Sequence, residues 1–163
     1  MEKLDVRLAA PEDLPAIWNI YAYARDYMAK SGNAGQWGRD NPKPEIVYED
    51  LDRGNLYVIT ERGRICGVFA FIIGNDATYE RISGAWHAST VYGTIHRLAG
   101  DGTVGGIFSR CLSFCEERWG YLRVDTHEKN QIMRHLLNKN GFQPCGIIHV
   151  SDGSPRIAFD RIL

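Results

Sequence analysis

The chain alternates between segments with a two-residue apolar period and segments with a helical apolar period. Alternation and short apolar runs predict strands at residues 4–9, 56–60, 65–73, 91–99, 121–127, 145–150 and 155–162. Helical spacing, with Pro, Asn and Gly at the ends, predicts helices at residues 11–30, 44–54, about 106–119 and 130–141. This order predicts one α/β domain over residues 1–163 with a mixed sheet, in which only the βαβ unit at 91–127 must be parallel.

Composition and charge narrow the class of protein. The 163 residues carry a formal net charge of −1 without runs of like charge, which argues against a nucleic-acid or membrane-surface partner. No apolar run approaches the ~18 residues of a membrane span, and the first residues lack the apolar block of a signal peptide. The four cysteines show no metal or redox spacing. We therefore expect buried free thiols, no metal and a cytoplasmic location.

A glycine loop precedes the third predicted helix. Residues 97–111 read RLAGDGTVGGIFSRC, and Gly100 to Gly105 match G-x-G-x-x-G, the dinucleotide-binding pattern. Glycines let the backbone approach an anion, and a helix N-terminus offers free N–H groups to it. NAD and coenzyme A both carry a pyrophosphate, so the loop alone fits either.

The surroundings of the loop favour coenzyme A. The loop comes after the midpoint of the chain, whereas a dinucleotide fingerprint normally begins its fold unit. The preceding strand carries His96 and Arg97, where a buried parallel strand would be almost continuously apolar. The earlier segments are hairpins and helices instead of βαβ units. An NAD-binding oxidoreductase is therefore the less favoured alternative.

The element order and two motifs resemble the GNAT superfamily of acyl-CoA-dependent N-acyltransferases, most strongly from Val91 to Phe142. The family's Q/R-x-x-G-x-G/A loop corresponds to Thr103, Val104, Gly105, Gly106, Ile107 and Phe108. Its N-x-x-A-x-x-L-Y-x-x-x-G-F motif corresponds to Asn130, Met133, Leu136, Leu137, Gly141 and Phe142. The resemblance implies a mostly antiparallel central sheet flanked by helices. It also implies acetyl-CoA as cosubstrate, held by residues 103–108, by the backbone near Leu98 and Ala99, and by Asn130.

Three residues depart from the family pattern. Thr103 replaces the usual Gln or Arg, and Phe108 stands where a small residue is usual, so its side chain must turn away from the loop. Leu137 replaces the tyrosine that in many relatives protonates the departing thiolate. The alternative that these departures support is a catalytically degenerate protein that binds acyl-CoA as a sensor. Asn130 is compatible with a helix N-cap, with a pantetheine contact, or with both.

The strand at 121–127 has one polar face. Alternation places Arg123, Asp125 and His127 on the same side, which is costly in a central strand unless that side lines a cleft or carries a satisfied network. In a catalytic interpretation Asp125 orients His127 or binds the substrate ammonium, and His127 or His96 relays a proton. In a structural interpretation the face forms a network with Arg97 or Arg123. Both remain open.

Trp37 and Tyr79 are aromatic residues in polar loops and are candidates for the acceptor pocket. Such a pocket suits an amine with an apolar or cationic body. The resulting hypothesis is an N-acetyltransferase for a small-molecule amine. Since many relatives dimerise through C-terminal strands, residues 155–163 are a candidate edge for a homodimer.

Overall fold

The computed structural model describes residues 3–163, which form a mixed α/β fold. The strands are β1 Leu4–Leu8, β2 Leu56–Glu61, β3 Arg64–Ile73, β4 Ser83–Gly84, β5 Gly93–Gly100, β6 Tyr121–Thr126, β7 Gln143–His149 and β8 Pro155–Ile162. The α-helices are α1 Leu14–Lys30, α2 Ala34–Trp37, α3 Pro44–Asp52, α4 Ile107–Glu116 and α5 Gln131–Lys139. Short 3-10 turns lie at Pro11–Asp13 and Ala77–Tyr79.

The strands follow the order β1-β2-β3-β5-β6-β8-β7-β4. The β5–β6 pair is parallel, with Gly93 opposite Leu122 and Thr94 opposite Arg123. The pairs β1–β2, β2–β3, β4–β7, β6–β8 and β7–β8 are antiparallel. The predicted mostly antiparallel sheet with one parallel βαβ unit is therefore confirmed.

The expected edge strand at residues 155–163 is wrong. β8 is paired on both sides, with β6 and with β7, because the C-terminal hairpin folds β7 onto its outer side. Its backbone N–H and C=O groups are satisfied within the chain. A homodimer formed by pairing β8 with its copy would therefore lack the free strand edge that it needs.

The backbone forms two compact units. The first contains the described residues up to Ile72 together with Ile95–Cys115. In its core, Ile17, Tyr21 and Val47 from α1 and α3 pack with Leu56 and Val58 of β2.

The second unit contains Ile73–Thr94 and Glu116–Leu163. Its core is rich in tyrosine and includes Tyr79, Tyr92, Tyr121, Ile148 and Ala158. Helix α5 begins as predicted, because the Asn130 side chain accepts a 3.1 Å hydrogen bond from the Met133 N–H. It ends at Lys139, two residues before the expected stop glycine, Gly141, whose φ is 84°.

A short helix and the end of one helix are among the differences from prediction. The segment expected to be a loop at 31–44 contains the short helix α2, which brings Trp37 against the core cluster of the first unit. Helix α4 ends at Glu116 instead of Trp119, whose indole N–H donates to the Val91 carbonyl. None of the helices within residues 3–163 is long and apolar enough to cross a lipid bilayer.

Candidate active site

The glycine loop joins β5 to α4 in the first unit, and its first turn is fixed by polar contacts. The backbone N–H and the hydroxyl of Thr103 donate to Oδ1 of Asp101 over 3.0 and 2.6 Å. Arg64, from β3, donates to Oδ2 of Asp101 over 2.7 Å and to the Thr103 hydroxyl over 2.5 Å. Arg64 is distant in sequence from the loop, but its cation lies beside Thr103, the residue that replaces the family's Gln or Arg.

Gly105 and Gly106 follow this turn and are exposed. Gly106 has a φ of 82°, which disfavours any residue with a side chain, and its carbonyl accepts the Arg110 N–H of α4. A Cβ at Gly105 would meet no heavy atom within 4 Å. Phe108 is 7% exposed and packs into the interior, so the expectation that its side chain turns away from the loop is met.

β5 carries an unusual residue before the loop. Arg97 has a φ of 54°, a conformation that costs a non-glycine residue energy. Its guanidinium donates to both oxygens of the buried Asp50 over 2.7 and 2.8 Å, and its carbonyl accepts the Tyr21 hydroxyl over 2.9 Å. Asp50 could not be found from the sequence, since nothing in the helical pattern of α3 distinguishes it from its acidic neighbours.

The other predicted residues of β5 are His96, Leu98 and Ala99. His96 and Leu98 are half-buried, and Ala99 is buried in the first unit's core cluster. Trp37, expected to line a pocket, is half-buried and contacts the Tyr21 ring edge to face with centroids 5.7 Å apart.

In the second unit, Asp125 is held by Tyr79. The Tyr79 hydroxyl donates to Oδ1 of Asp125 over 2.5 Å, and the Tyr79 ring packs against Trp86 and Tyr92. Burial, reinforced by the nearby Asp125 charge, raises the pKa of Tyr79 well above its ordinary value. The phenol therefore stays protonated at neutral pH and acts as a hydrogen-bond donor that orients a half-buried carboxylate.

The predicted polar face of β6 also contains Arg123, and aromatic rings cover it. Its guanidinium carbon lies 4.1 Å from the centroid of Trp86 and 3.9 Å from that of Tyr92. It also donates to the Tyr121 hydroxyl and to the Ala88 carbonyl. Arg123 therefore belongs to a packed and hydrogen-bonded network, as the structural interpretation of this face predicts.

His127 lies directly after β6. Its Nδ1 accepts the Lys129 N–H over 3.1 Å, so the neutral ring carries its proton on Nε2. Burial, and secondarily the positive charge of Arg156, lower the pKa of His127 below its usual value of 6.5. The ring is thus neutral at pH 7 and can donate through Nε2.

Two positions of α5 complete the comparison with the predicted motifs. Asn130 is the N-cap of α5, which is the first of the two roles that the sequence allowed for it. Leu137 is fully buried, so this position supplies no proton to a leaving group.

No protein-family model and no curated protein matches the sequence. An acetyltransferase of the GNAT family from Streptococcus agalactiae is 32% identical, with a TM-score of 0.88 over 98% of this chain and 95% of that one.

Two further solved structures share the fold at lower identity. A ribosomal-protein-alanine N-acetyltransferase from Brucella melitensis is 19% identical, with a TM-score of 0.64 over 98% of this chain and 99% of that one. FeeM, an N-acyl amino acid synthase from uncultured soil microbes, is 17% identical, with a TM-score of 0.61 over 99% and 92%. At these identities they are informative about the fold alone. The 32% identity over nearly the whole length of the streptococcal protein identifies the chain as a member of the GNAT family of acetyltransferases.

Proposed function

We propose that the protein transfers the acetyl group of acetyl-CoA to a small-molecule amine, with residues 1–163 acting as one acyltransferase domain. The observation that carries the proposal is Gly105. A Cβ there would touch nothing, and its φ lies outside the left-handed region. Neither packing nor conformation requires glycine, so the missing side chain leaves space for a ligand next to the N-terminus of α4.

The loop fits a pyrophosphate in charge as well as in space. The first-turn N–H groups of α4 have no acceptor within the helix and carry its partial positive charge. The Arg64 guanidinium lies beside Thr103 and neutralises the Asp101 carboxylate, which would otherwise repel a phosphate at this loop. We assign the pyrophosphate to the backbone of residues 103–108 and to Arg64, and the pantetheine arm to Asn130.

The thioester of acetyl-CoA supplies the acyl group, and the chain's own groups supply the remaining chemistry. Backbone N–H groups at Leu98 and Ala99 are our candidates for stabilising the oxyanion. The hydrogen bond from Tyr79 that orients Asp125 supports this carboxylate as the group that binds the ammonium form of the acceptor. The half-buried His96 is a candidate relay, and the neutral His127 a candidate donor through Nε2.

Departure of the coenzyme A thiolate is the step that needs the least assistance from the protein. A thiol with a pKa near ~8.5 leaves as the anion without a strong acid, so the buried Leu137 is compatible with turnover. The same residue supports the second candidate function, an acyl-CoA sensor without turnover. The half-buried Trp37 remains our candidate for contact with the acceptor, and the buried Tyr79 acts mainly through Asp125.

The experiment is a binding and turnover comparison on the whole protein. Calorimetry with coenzyme A, acetyl-CoA and NADH is expected to show binding of the first two alone, and binding of NADH alone would overturn the loop assignment. Release of free thiol is then measured across a panel of amines and peptides. Turnover on a small amine supports the proposal. Binding without turnover on any acceptor selects the sensor, and turnover on peptides alone refutes the small-molecule acceptor.

A further inference from the structure

A histidine, a cysteine and an aspartate meet in the second unit, outside the residues assigned to acetyl transfer. His87, Cys145 and Asp160 offer ligand atoms that all lie within 4.8 Å of one another. Within residues 3–163 this is the only group of three or more such side chains with that spacing. The three residues come from the segment after β4, from β7 and from β8.

The backbone directs Cys145 to this place. Pro144 pairs with Phe159 and Gly146 pairs with Ala158, so Cys145 is the extra residue of a β-bulge. A bulge turns a side chain out of the regular alternation of its strand. The short β4 strand is fixed on the same position, because Gly84 pairs with Gly146 and the Ala85 N–H donates to the Cys145 carbonyl over 3.0 Å.

Asp160 is oriented by groups that leave one of its oxygens facing the cluster. Its Oδ2 accepts the His87 backbone N–H and the Tyr121 hydroxyl, each over 2.8 Å. The Tyr121 hydroxyl in turn accepts from Nε of Arg123 over 3.1 Å. The other carboxylate oxygen of Asp160, Oδ1, lies 2.6 Å from Nδ1 of His87. Outer hydrogen bonds of this kind fix a metal-binding carboxylate in position.

The distances are close to those of a tetrahedral zinc site. Sγ of Cys145 lies 3.4 Å from Nδ1 of His87, against roughly 3.6 Å between sulfur and nitrogen ligands on one zinc ion. The Nδ1 to Oδ1 separation of 2.6 Å would have to widen to about 3.4 Å. The His87 side chain is 43% exposed, so it is free to make that movement.

A reactive cysteine is the competing interpretation of these side chains. Burial, together with the hydrogen bond to Asp160 and the charge of that carboxylate, raises the pKa of Cys145 to about 12. Such a thiol is protonated at neutral pH and is a poor nucleophile. Zinc also binds the thiolate and releases its proton, so it is the convergence of three ligand atoms, and not the ionisation of the thiol, that favours a metal site here.

We propose that Nδ1 of His87, Sγ of Cys145 and Oδ1 of Asp160 form a three-ligand site for Zn²⁺. The thiolate and the carboxylate together neutralise the charge of the ion. A nitrogen, a sulfur and an oxygen ligand suit zinc better than the hard cations Mg²⁺ and Ca²⁺, which prefer oxygen alone. Binding moves the His87 proton to Nε2 and releases the thiol proton of Cys145.

The test is metal titration of the whole protein, purified with a chelator and then freed of it. Zn²⁺ affinity is measured by competition with a chromophoric chelator, and Co²⁺ serves as a spectroscopic probe. We expect one ion per chain and a thiolate-to-cobalt charge-transfer band.

Variants distinguish this site from adventitious binding. Cys145→Ser and His87→Asn should each weaken Zn²⁺ binding by at least about 100-fold, since even loss of an outer-shell partner costs 10- to 100-fold. The matched control is His135→Asn, which removes another exposed histidine and should change nothing. Absence of the cobalt band in the wild type overturns the proposal without any variant. Binding that survives Cys145→Ser overturns it as well.

Discussion

The hydroxyl of Tyr79 donates a 2.5 Å hydrogen bond to Asp125, across 46 residues of sequence. The tyrosine is 2% exposed, whereas the carboxylate is half-buried. One residue is thus fixed in the core and positions the other where it can meet solvent or a ligand. This relationship gives Asp125 the rigid support that a substrate-binding carboxylate needs.

Asp125→Asn tests the catalytic part of the proposal. The amide cannot neutralise an ammonium or accept its proton, so we expect kcat/KM for the acceptor amine to fall by about 100-fold or more. Affinity for coenzyme A, measured by calorimetry, should stay the same. Asp26→Asn, which alters an exposed carboxylate paired with Lys30 on α1, is the control. Unchanged turnover in the Asp125 variant would leave this residue with a structural role only.

Gly105→Ala tests the space next to α4. Because a Cβ there meets no atom of the protein, the variant should unfold at the wild-type temperature. Its affinity for coenzyme A should nevertheless fall by about tenfold or more, since the methyl group would occupy the approach of the pyrophosphate. Retention of full affinity would refute the assignment of Gly105 to the phosphate site.

Arg64 and Asp101 should affect coenzyme A binding in opposite directions. Arg64→Gln removes a cation and leaves the Asp101 carboxylate unneutralised beside the loop, so affinity should drop several-fold. Asp101→Asn keeps the oxygen that accepts from Thr103 but removes the negative charge, so affinity should hold or rise.

Calorimetry at two salt concentrations checks this pair, and the difference between wild type and Arg64→Gln should shrink at high salt. Arg53→Gln, at an exposed ion pair with Glu49, is the control. Equal losses in the Arg64 and Asp101 variants would point to the shape of the turn instead of its charge.

The buried ion pair between Asp50 and Arg97 should dominate the polar contribution to stability in the first unit. Asp50→Ala leaves the Arg97 guanidinium largely buried without its partner, at a cost of about 3–5 kcal/mol in the free energy of unfolding. Glu49→Gln, which breaks the exposed pair with Arg53, should cost less than about 1 kcal/mol. Urea denaturation measures both, and equal effects would contradict the role of burial.

The sequence predicted those features that depend on local pattern or on element order. The Asn130 cap and the Gly141 stop follow from residues close together in the chain, and the parallel β5–β6 pair follows from the order strand, helix, strand. Arg64 beside Thr103 could not be predicted, because 39 residues separate them and only strand pairing brings them together.

The surroundings of the cysteines could also be predicted only in part. The expectation of free thiols is confirmed, and Cys66, Cys111 and Cys115 are buried as expected, but Cys145 is only half-buried. Its neighbours His87 and Asp160 are 58 residues before it and 15 after it, too far apart for a spacing motif. The bulge that turns its side chain toward them depends on the register of β7 against β8, which the alternation of the sequence does not reveal.

His127 should titrate below its usual pKa of 6.5, for burial and the charge of Arg156 both favour the neutral ring. At pH values between the pKa of His127 in the folded protein and 6.5, this histidine therefore binds more protons in the unfolded chain than in the folded one. The stability contributed by the neutral ring is therefore present above pH 6.5 and is lost as the pH falls through the folded pKa. Titration of the ring carbon protons by NMR gives the midpoint. Arg156→Gln should move that midpoint upward, only part of the way to 6.5 because burial is the larger cause, and Arg156→Lys should leave it in place. A wild-type midpoint at or above 6.5 would contradict the lowered pKa of His127, and a midpoint above 7 would remove His127 as a mainly neutral donor at pH 7.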